Sequence, residues 1–212
     1  MSDFKPLTDA VIKGDINTAV AETRQALEAG HEVNDIIDKG LVAGMDEVGN
    51  RFSKGQFFVP QMLRAAKTMQ ECMKLLQPLL KEGDVTSKGR ILIGTVKGDL
   101  HDIGKNLVAM MLEGAGFEII DLGVDVSPEK FVQKVQETGP DIVAMSALLS
   151  TTMPAMPQTI TAIEKAGLRD KVKVMIGGAP VTEKYAQEIK SDGYASDAGG
   201  AVNKAKSLLG IS

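Results

Sequence analysis

The spacing of apolar residues changes once along the chain, near residue 85, and that change limits the fold more than any other feature. From Leu7 to Leu80 apolar side chains recur every three or four positions, as in Val33, Ile36, Ile37, Leu41, Met45 and Val48, the period of helices that bury one stripe. Breaks at Gly14-Asp15, Ala29-Gly30-His31 and Ser53-Lys54-Gly55 divide this stretch into about four helices. Loops this short imply antiparallel packing. The stretch KEGDVTSKG, residues 81–89, is polar and aperiodic, as an exposed linker is. Beyond it the apolar runs RILIGTV, FEIIDLGV, DIVAMSAL and KVKVMIGG alternate with amphipathic segments that start near Ile103, Pro128, Pro154 and Thr182. Such runs are apolar at consecutive positions, which fits strands covered on both faces, and crossovers of this length require parallel pairing.

The expected architecture is therefore α followed by α/β. Residues 1–86 form an N-terminal four-helix bundle, and residues 87–212 form a flavodoxin-like (Rossmann-like), doubly wound parallel sheet with its ligand crevice outside the carboxyl ends of the strands. With 43% apolar residues among 212, the chain has enough material for a real core. A net charge of -4 supplies no basic excess to attract nucleic acid or anionic lipid. No apolar run approaches the roughly 20 residues that span a bilayer, so no membrane is expected. The N-terminus MSDFKPLTDA lacks the basic and apolar blocks of a signal peptide, and a cytoplasmic location is expected. The single cysteine, Cys72, excludes an internal disulfide; within MLRAAKTMQECMKLL it reads as a small buried apolar residue.

Immediately after the first strand of the sheet half comes Gly98-Asp99-Leu100-His101-Asp102-Ile103-Gly104, which puts a carboxylate and an imidazole two residues apart at the crevice edge. A metal-ligating imidazole normally donates its other N–H to a carboxylate or carbonyl, and Asp99 is placed for that part. Gly104 removes a side chain where the loop becomes a helix, which admits a bulky group. By itself an Asp-x-His-x-x-Gly pattern also arises by chance. The only other histidine is His31, and no second cysteine exists to complete a zinc site. One histidine is enough when the metal arrives in a macrocycle that already supplies its equatorial ligands.

The run GTVKGDLHDIGKNLVAMMLEGAGFEIIDLGVDV resembles the cobalamin-binding domain of methionine synthase and of the corrinoid proteins in methanol, methylamine and aryl-ether methyltransferase systems. The likeness continues in Ser146-Ala147-Leu148, similar to that family's Ser-x-Leu, and in Gly177-Gly178, similar to its paired glycines. The resemblance implies a cobalamin or related corrinoid with cobalt held from below by His101, the base-off and histidine-on state, and Asp99 bonded to the far nitrogen of the ring. Leu100, Asp102 and Ile103 share this cofactor loop. Gly104, Ser146, Leu148, Gly177 and Gly178 would line the tunnel for the displaced nucleotide tail, and Ser150 matches a hydroxyl near it. Thr152 stands where the family has a serine that completes the Asp–His relay, so the hydroxyl is kept on a stiffer, β-branched side chain. The segment VGNRFSKGQFFVPQMLRAAKTM, residues 48–69, resembles the family's helical cap, whose apolar side chains over the upper face of the corrin match Phe52, Val59 and Met62. Aromatic and methionine residues at helical spacing are usually plain bundle core. Phe57 and Phe58 fit that description, whereas the motif match assigns Phe52 to the cap.

The resemblance further implies a carrier, not a complete enzyme. A substrate-specific methyltransferase would load the cobalt from methanol, a methylamine or a methoxylated compound, and a second methyltransferase would unload it to a folate or thiol acceptor. A reductive activator of the corrinoid completes the set of partners. Loss of the His101 ligand would let the Asp99–His101 pair take up a proton, linking protonation to coordination. The cap would move aside to expose the methyl, with residues 81–89 as the hinge. Two other roles share the binding domain. An adenosylcobalamin mutase subunit lacks such a helical cap, and a cobalamin-dependent sensor or regulator needs a basic DNA-reading module that an acidic chain starting directly in its bundle does not supply.

Overall fold

The computed structural model describes residues 4–80 and 87–211, so positions 81–86 of the expected linker lie outside the described residues. The chain forms two compact units, Met1–Ser87 with Gly114–Gly116, and Lys88–Glu113 with Phe117–Ser212.

In the helical unit α1 (Lys5–Lys13) and α2 (Ile16–Glu28) precede one unbroken helical stretch made of α3 (Val33–Asp35), a π-helical segment (Ile36–Val42) and α4 (Ala43–Ser53). After a short loop come α5 (Val59–Leu76) and a 3-10 turn (Gln77–Leu79). The breaks fall where Gly14-Asp15, Gly30 and Gly55 interrupt the apolar period. Asp15 starts α2 by accepting the Thr18 N–H at 3.1 Å, which satisfies one of the otherwise orphan donors of the first turn. The π segment is invisible to a three-and-four spacing, because it adds a residue to the turn without moving Ile36, Ile37 and Leu41 out of the interior. Its Gly40, and Gly44 one turn later, let α1 approach closely. A Cβ at Gly40 would lie 2.5 Å from Leu7 Cδ2, and one at Gly44 would lie 2.9 Å from Val11. Cys72 is fully buried, and burial pushes its thiol above the usual range; a thiol of this kind is packing material, not a nucleophile.

The second unit is a five-stranded parallel sheet of β1 (Arg90–Thr95), β2 (Glu118–Asp121), β3 (Ile142–Ser146), β4 (Lys173–Gly177) and β5 (Gly193–Ala195), in the order β2-β1-β3-β4-β5. The crossovers are α6 (Ile103–Gly114), α7 (Pro128–Thr138), α8 (Ala155–Lys165) and α9 (Glu183–Glu188), and α10 (Ala198–Leu209) follows the last strand. This is the flavodoxin-like order, and its direction of winding reverses between β1 and β3. Leu92, Val143 and Val174 pair in one row across three strands. All three are fully buried, in a cluster with Phe131 and Val135 of α7 and Met156 and Ile163 of α8. Phe131 seats its ring under Gly94, where a Cβ would come within 2.9 Å of it. Burying that ring is worth about 2 to 3 kcal/mol. The sequence pattern stops at the fourth strand because Gly193-Tyr194-Ala195 is too short and too small to form an apolar run.

Candidate functional site

The pairings Thr95 with Ser146 and Ser146 with Gly177 set the carboxyl ends of β1, β3 and β4 level. The loops that leave β1 and β3 thus emerge side by side at the reversal of strand order. After β1 the chain turns at once: the Asp99 N–H donates to the Val96 carbonyl at 3.1 Å, with Gly98 at φ +82°, the positive φ that a type II turn requires at its third residue. Thr95, fully buried, donates its hydroxyl to the His101 carbonyl at 2.9 Å and so fixes the far end of the loop.

The turn buries the Asp99 carboxylate completely, and four donors converge on it. Oδ1 accepts the His101 backbone N–H at 3.1 Å and faces His101 Nδ1 at 2.8 Å. Oδ2 accepts the Leu148 N–H and the Thr152 hydroxyl, each at 2.7 Å. The Thr152 oxygen also lies 2.9 Å from the Leu149 carbonyl, but a hydroxyl has one proton, and the charged carboxylate is the stronger acceptor. Burial pushes the Asp99 carboxyl upward. The hydrogen bonds from Thr152, Leu148 and His101 outweigh it and hold the group well below the usual carboxylate range. Asp99 is therefore a fixed anion. It keeps a proton on Nδ1 of an imidazole that is about half exposed, and among the described residues no hydrogen bond engages Nε2. The structure thus joins three residues singled out from the sequence, Asp99, His101 and Thr152, into one chain of hydrogen bonds.

Around the imidazole the surface is apolar and uncovered. Leu100 is 72% exposed and Ile103 77%, and Leu148 and Leu149 are each exposed by more than two-fifths. Leu149 is the one among these that sequence reasoning passed over. A Cβ at Gly104 would meet nothing within 4 Å, so the packing of the chain itself leaves that space open. Asp102 is exposed beside it. Ser146 is half-buried at the end of β3 and Ser150 is exposed in the following loop. Gly177 and Gly178 are half-buried at the end of β4. Among the described residues no group of three or more His, Cys, Asp or Glu side chains is arranged to hold a bare metal ion. One imidazole with a free Nε2, a rim of exposed leucine and isoleucine, and open space at Gly104 fit a broad, largely apolar macrocycle that brings its own equatorial donors.

The residues assigned to the cap lie in the helical unit. Phe52 and Val59 are half-exposed there, and Met62 is fully buried. Phe57 is half-buried with the Arg51 guanidinium 5.3 Å from its ring centre. Phe58 is 64% exposed and is not bundle core: it precedes α5 in extended backbone, outside the helical period that suggested burial.

Two more groups near the loop lie inside the run 94–126 but were not singled out from the sequence. Thr95 reads as an ordinary strand residue, and Lys105, at 3% exposure, reads as a solvated lysine. Its ammonium donates to Asp121 and to Asn106, tying the first turn of α6 to the end of β2. Asp121→Ala leaves this buried ammonium without its counter-charge, with the Asn106 oxygen still bound, and is expected to cost about 2 kcal/mol, whereas Lys105→Met replaces it with an apolar chain of similar shape and costs less than about 1 kcal/mol. Urea unfolding followed by tyrosine fluorescence checks this, because both tyrosines, Tyr185 and Tyr194, lie in the sheet unit. Equal losses in the two variants would contradict it.

Comparison with known proteins agrees with the geometry. A family model described as a B12 binding domain matches residues 89–203, and a second model of the same description matches residues 4–77. The dimethylamine corrinoid protein of Methanosarcina barkeri is 46% identical over 207 residues, 97% of each chain. Among solved structures, a cobalamin-binding protein from Desulfitobacterium hafniense DCB-2 superposes with a TM-score of 0.84 at 33% identity, covering 98% of this chain and 99% of that one. The methanol:cobalamin methyltransferase complex of Methanosarcina barkeri contains a chain matched with a TM-score of 0.86 at 28% identity, covering 100% of this chain and 82% of that one. A sheet-edge imidazole held by a buried carboxylate, with matches of this extent over both units, places the chain in the B12-binding corrinoid protein family.

Proposed function

We propose that this chain is a corrinoid carrier that receives a methyl group from a substrate-specific methyltransferase and hands it to a second methyltransferase acting on a folate or thiol acceptor, with a reductive activator as third partner. The observation that carries the proposal is the Asp99-bound imidazole of His101 at the reversal of strand order. The corrinoid, when bound, supplies a cobalt centre able to take up and release a methyl group. His101 would hold that cobalt through Nε2, in the base-off and histidine-on state. Asp99 holds the proton on Nδ1, so the lone pair stays on Nε2, where it serves as a ligand. Thr152 and the Leu148 N–H keep the carboxylate from turning toward solvent. Leu100, Ile103 and Leu148 exclude water from the neighbourhood of the bond, with Asp102 at the polar margin of the loop. Gly104, Ser146, Ser150, Gly177 and Gly178 are assigned to the nucleotide tail. Phe52, Val59 and Met62 are assigned to the cofactor on the strength of the motif in α4 and α5.

The 46% identity to a dimethylamine corrinoid protein, against 28% for the methanol system, favours a methylamine as the methyl source. The test is to reconstitute the full chain with cobalamin, reduce it, and add a methylamine methyltransferase with mono-, di- or trimethylamine in turn. An amine-dependent change in the corrinoid absorption spectrum, reversed on adding an acceptor methyltransferase with its thiol or folate, is the expected result. No spectral change with any amine, in a protein that has bound and reduced its cofactor, would overturn the assignment.

A further inference from the structure

The loop that carries Asp99 and His101 is gripped by a residue near the end of the 94–126 run that neither the Asp-x-His-x-x-Gly motif nor the relay includes. Asp125 leaves β2 in the left-handed region, at φ +52°, a conformation that costs a residue with a side chain on the order of 1 kcal/mol or more and that persists where surrounding contacts impose it. Two hydrogen bonds impose it. The Asp125 carboxylate accepts the Gly98 N–H at 2.7 Å, and its own N–H donates to the Asp99 carbonyl at 2.9 Å. The two bonds bracket the link between Gly98 and Asp99. They are braced on one side by the bridge between Val96 and Val126 and on the other by the Thr95 N–H, which donates to the Gly123 carbonyl at 2.9 Å.

This placement matters because the direction of the Asp99 carboxylate is set by its backbone. In a type II turn the N–H of the third residue, here Gly98, takes no part in closing the turn, which leaves it available to a partner outside the turn. Asp125 does so while anchoring the next carbonyl as well. With Asp99 held on both sides of its Cα, its side chain has one way to meet Leu148, Thr152 and His101 together. An aspartate suits the position twice over: it tolerates the left-handed region better than most side chains, and it offers the acceptor. Glycine would meet the first demand and fail the second.

We infer that Asp125 is a positioning residue for the cobalt-binding imidazole, acting through the turn at Gly98 and Asp99. The inference rests on the assignment of His101 as the cobalt ligand, and its test separates the two. Asp125→Gly, Asp125→Ala and Asp125→Asn are compared in the full chain. In the cofactor-free protein, hydrogen exchange of the segment 96–101 should accelerate on the order of tenfold in the glycine and alanine variants and stay near wild type in the asparagine variant, which keeps an acceptor oxygen and the backbone preference. In the cobalamin-loaded protein, the fraction of cofactor coordinated by histidine should fall on the order of tenfold relative to the uncoordinated form with glycine or alanine and be rescued by asparagine. Tyrosine-detected unfolding controls for global loss of fold.

A glycine variant indistinguishable from wild type in both readouts would overturn the inference, since Asp125 would then matter only as a turn former. Equal impairment of the asparagine variant would overturn it too, because charge and not the hydrogen bond would be acting. A wild-type protein that keeps the cofactor's own base on cobalt overturns the His101 assignment and the positioning role with it, and the exchange arm shows separately whether Asp125 holds the turn.

Discussion

Replacing Gly178 with alanine is expected to destabilise the sheet unit by roughly 2 to 6 kcal/mol. Two costs add. Gly178 sits at φ +130°, where a side chain is strained whatever the space around it, a penalty on the order of 1 to 3 kcal/mol. A Cβ there would also lie 1.9 Å from the Ala147 carbonyl oxygen and 2.8 Å from the Ala147 carbonyl carbon. That neighbour is backbone, and it cannot rotate away. Ala147 is fully buried and donates its N–H to the Gly177 carbonyl at 3.2 Å, so relief of the overlap requires the exits of β3 and β4 to separate; forced overpacking of this sort adds roughly 1 to 3 kcal/mol more. The same movement would displace Leu148, whose N–H binds Asp99. The variant should therefore unfold at much lower urea concentration by tyrosine fluorescence and lose cofactor affinity even where it remains folded. A midpoint within error of wild type would show that the two strand ends are free to part.

The second large effect is expected for Asp99→Asn, a change of one atom. The carboxylate spends each oxygen on two donors, and an amide offers one oxygen. If that oxygen faces Leu148 and Thr152, the NH2 group opposes the His101 backbone N–H and presents a proton to Nδ1. The imidazole must then accept at Nδ1 and carry its own proton on Nε2, the tautomer that cannot bind a metal through Nε2. If the amide flips, Leu148 and Thr152 lose their acceptor inside the protein, at a cost of about 1 to 3 kcal/mol. Either way histidine ligation should weaken by between 10- and 100-fold, the usual range for loss of such a partner, read as the fraction of bound cobalamin coordinated by protein. Thr152→Val removes one donor of four and should act in the same direction by less. Ligation unchanged in Asp99→Asn would mean that the carboxylate does not set the tautomer.

How much of this was legible in the sequence follows from the range over which each feature acts. The change from helical period to strand runs depends on neighbours in the chain, and the two halves, the helix breaks and the first four strands follow from it. The π segment at Ile36–Val42 was hidden because it alters hydrogen bonding without altering which side chains are apolar. The fifth strand was hidden by its three-residue length. Within the site, Asp99 and His101 were readable as a local pair, and Thr152 only through a motif, since 53 positions separate it from the carboxylate it binds. Thr95, Lys105 and Asp125 lie inside the run that carries the resemblance, but nothing local assigned any of them a role. Lys105 and Asp125 act on partners 16 and 27 positions away, and Thr95 on the carbonyl of the loop that leaves its own strand, contacts that only the folded chain brings about. Phe58 shows the opposite failure, an aromatic ring in a helical pattern that the fold leaves in solvent.

The central claim is a bond between cobalt and His101, and paramagnetic resonance reads the identity of that ligand directly. In the one-electron-reduced cobalt(II) form the unpaired electron points along the axial bond and is split by the nitrogen it meets. In protein grown with nitrogen-15 histidine and loaded with unlabelled cobalamin, ligation by His101 predicts a doublet on each cobalt line, and that doublet should vanish in His101→Ala. A triplet unchanged by the label would mean that the cofactor's own base still holds the metal, and would contradict the account.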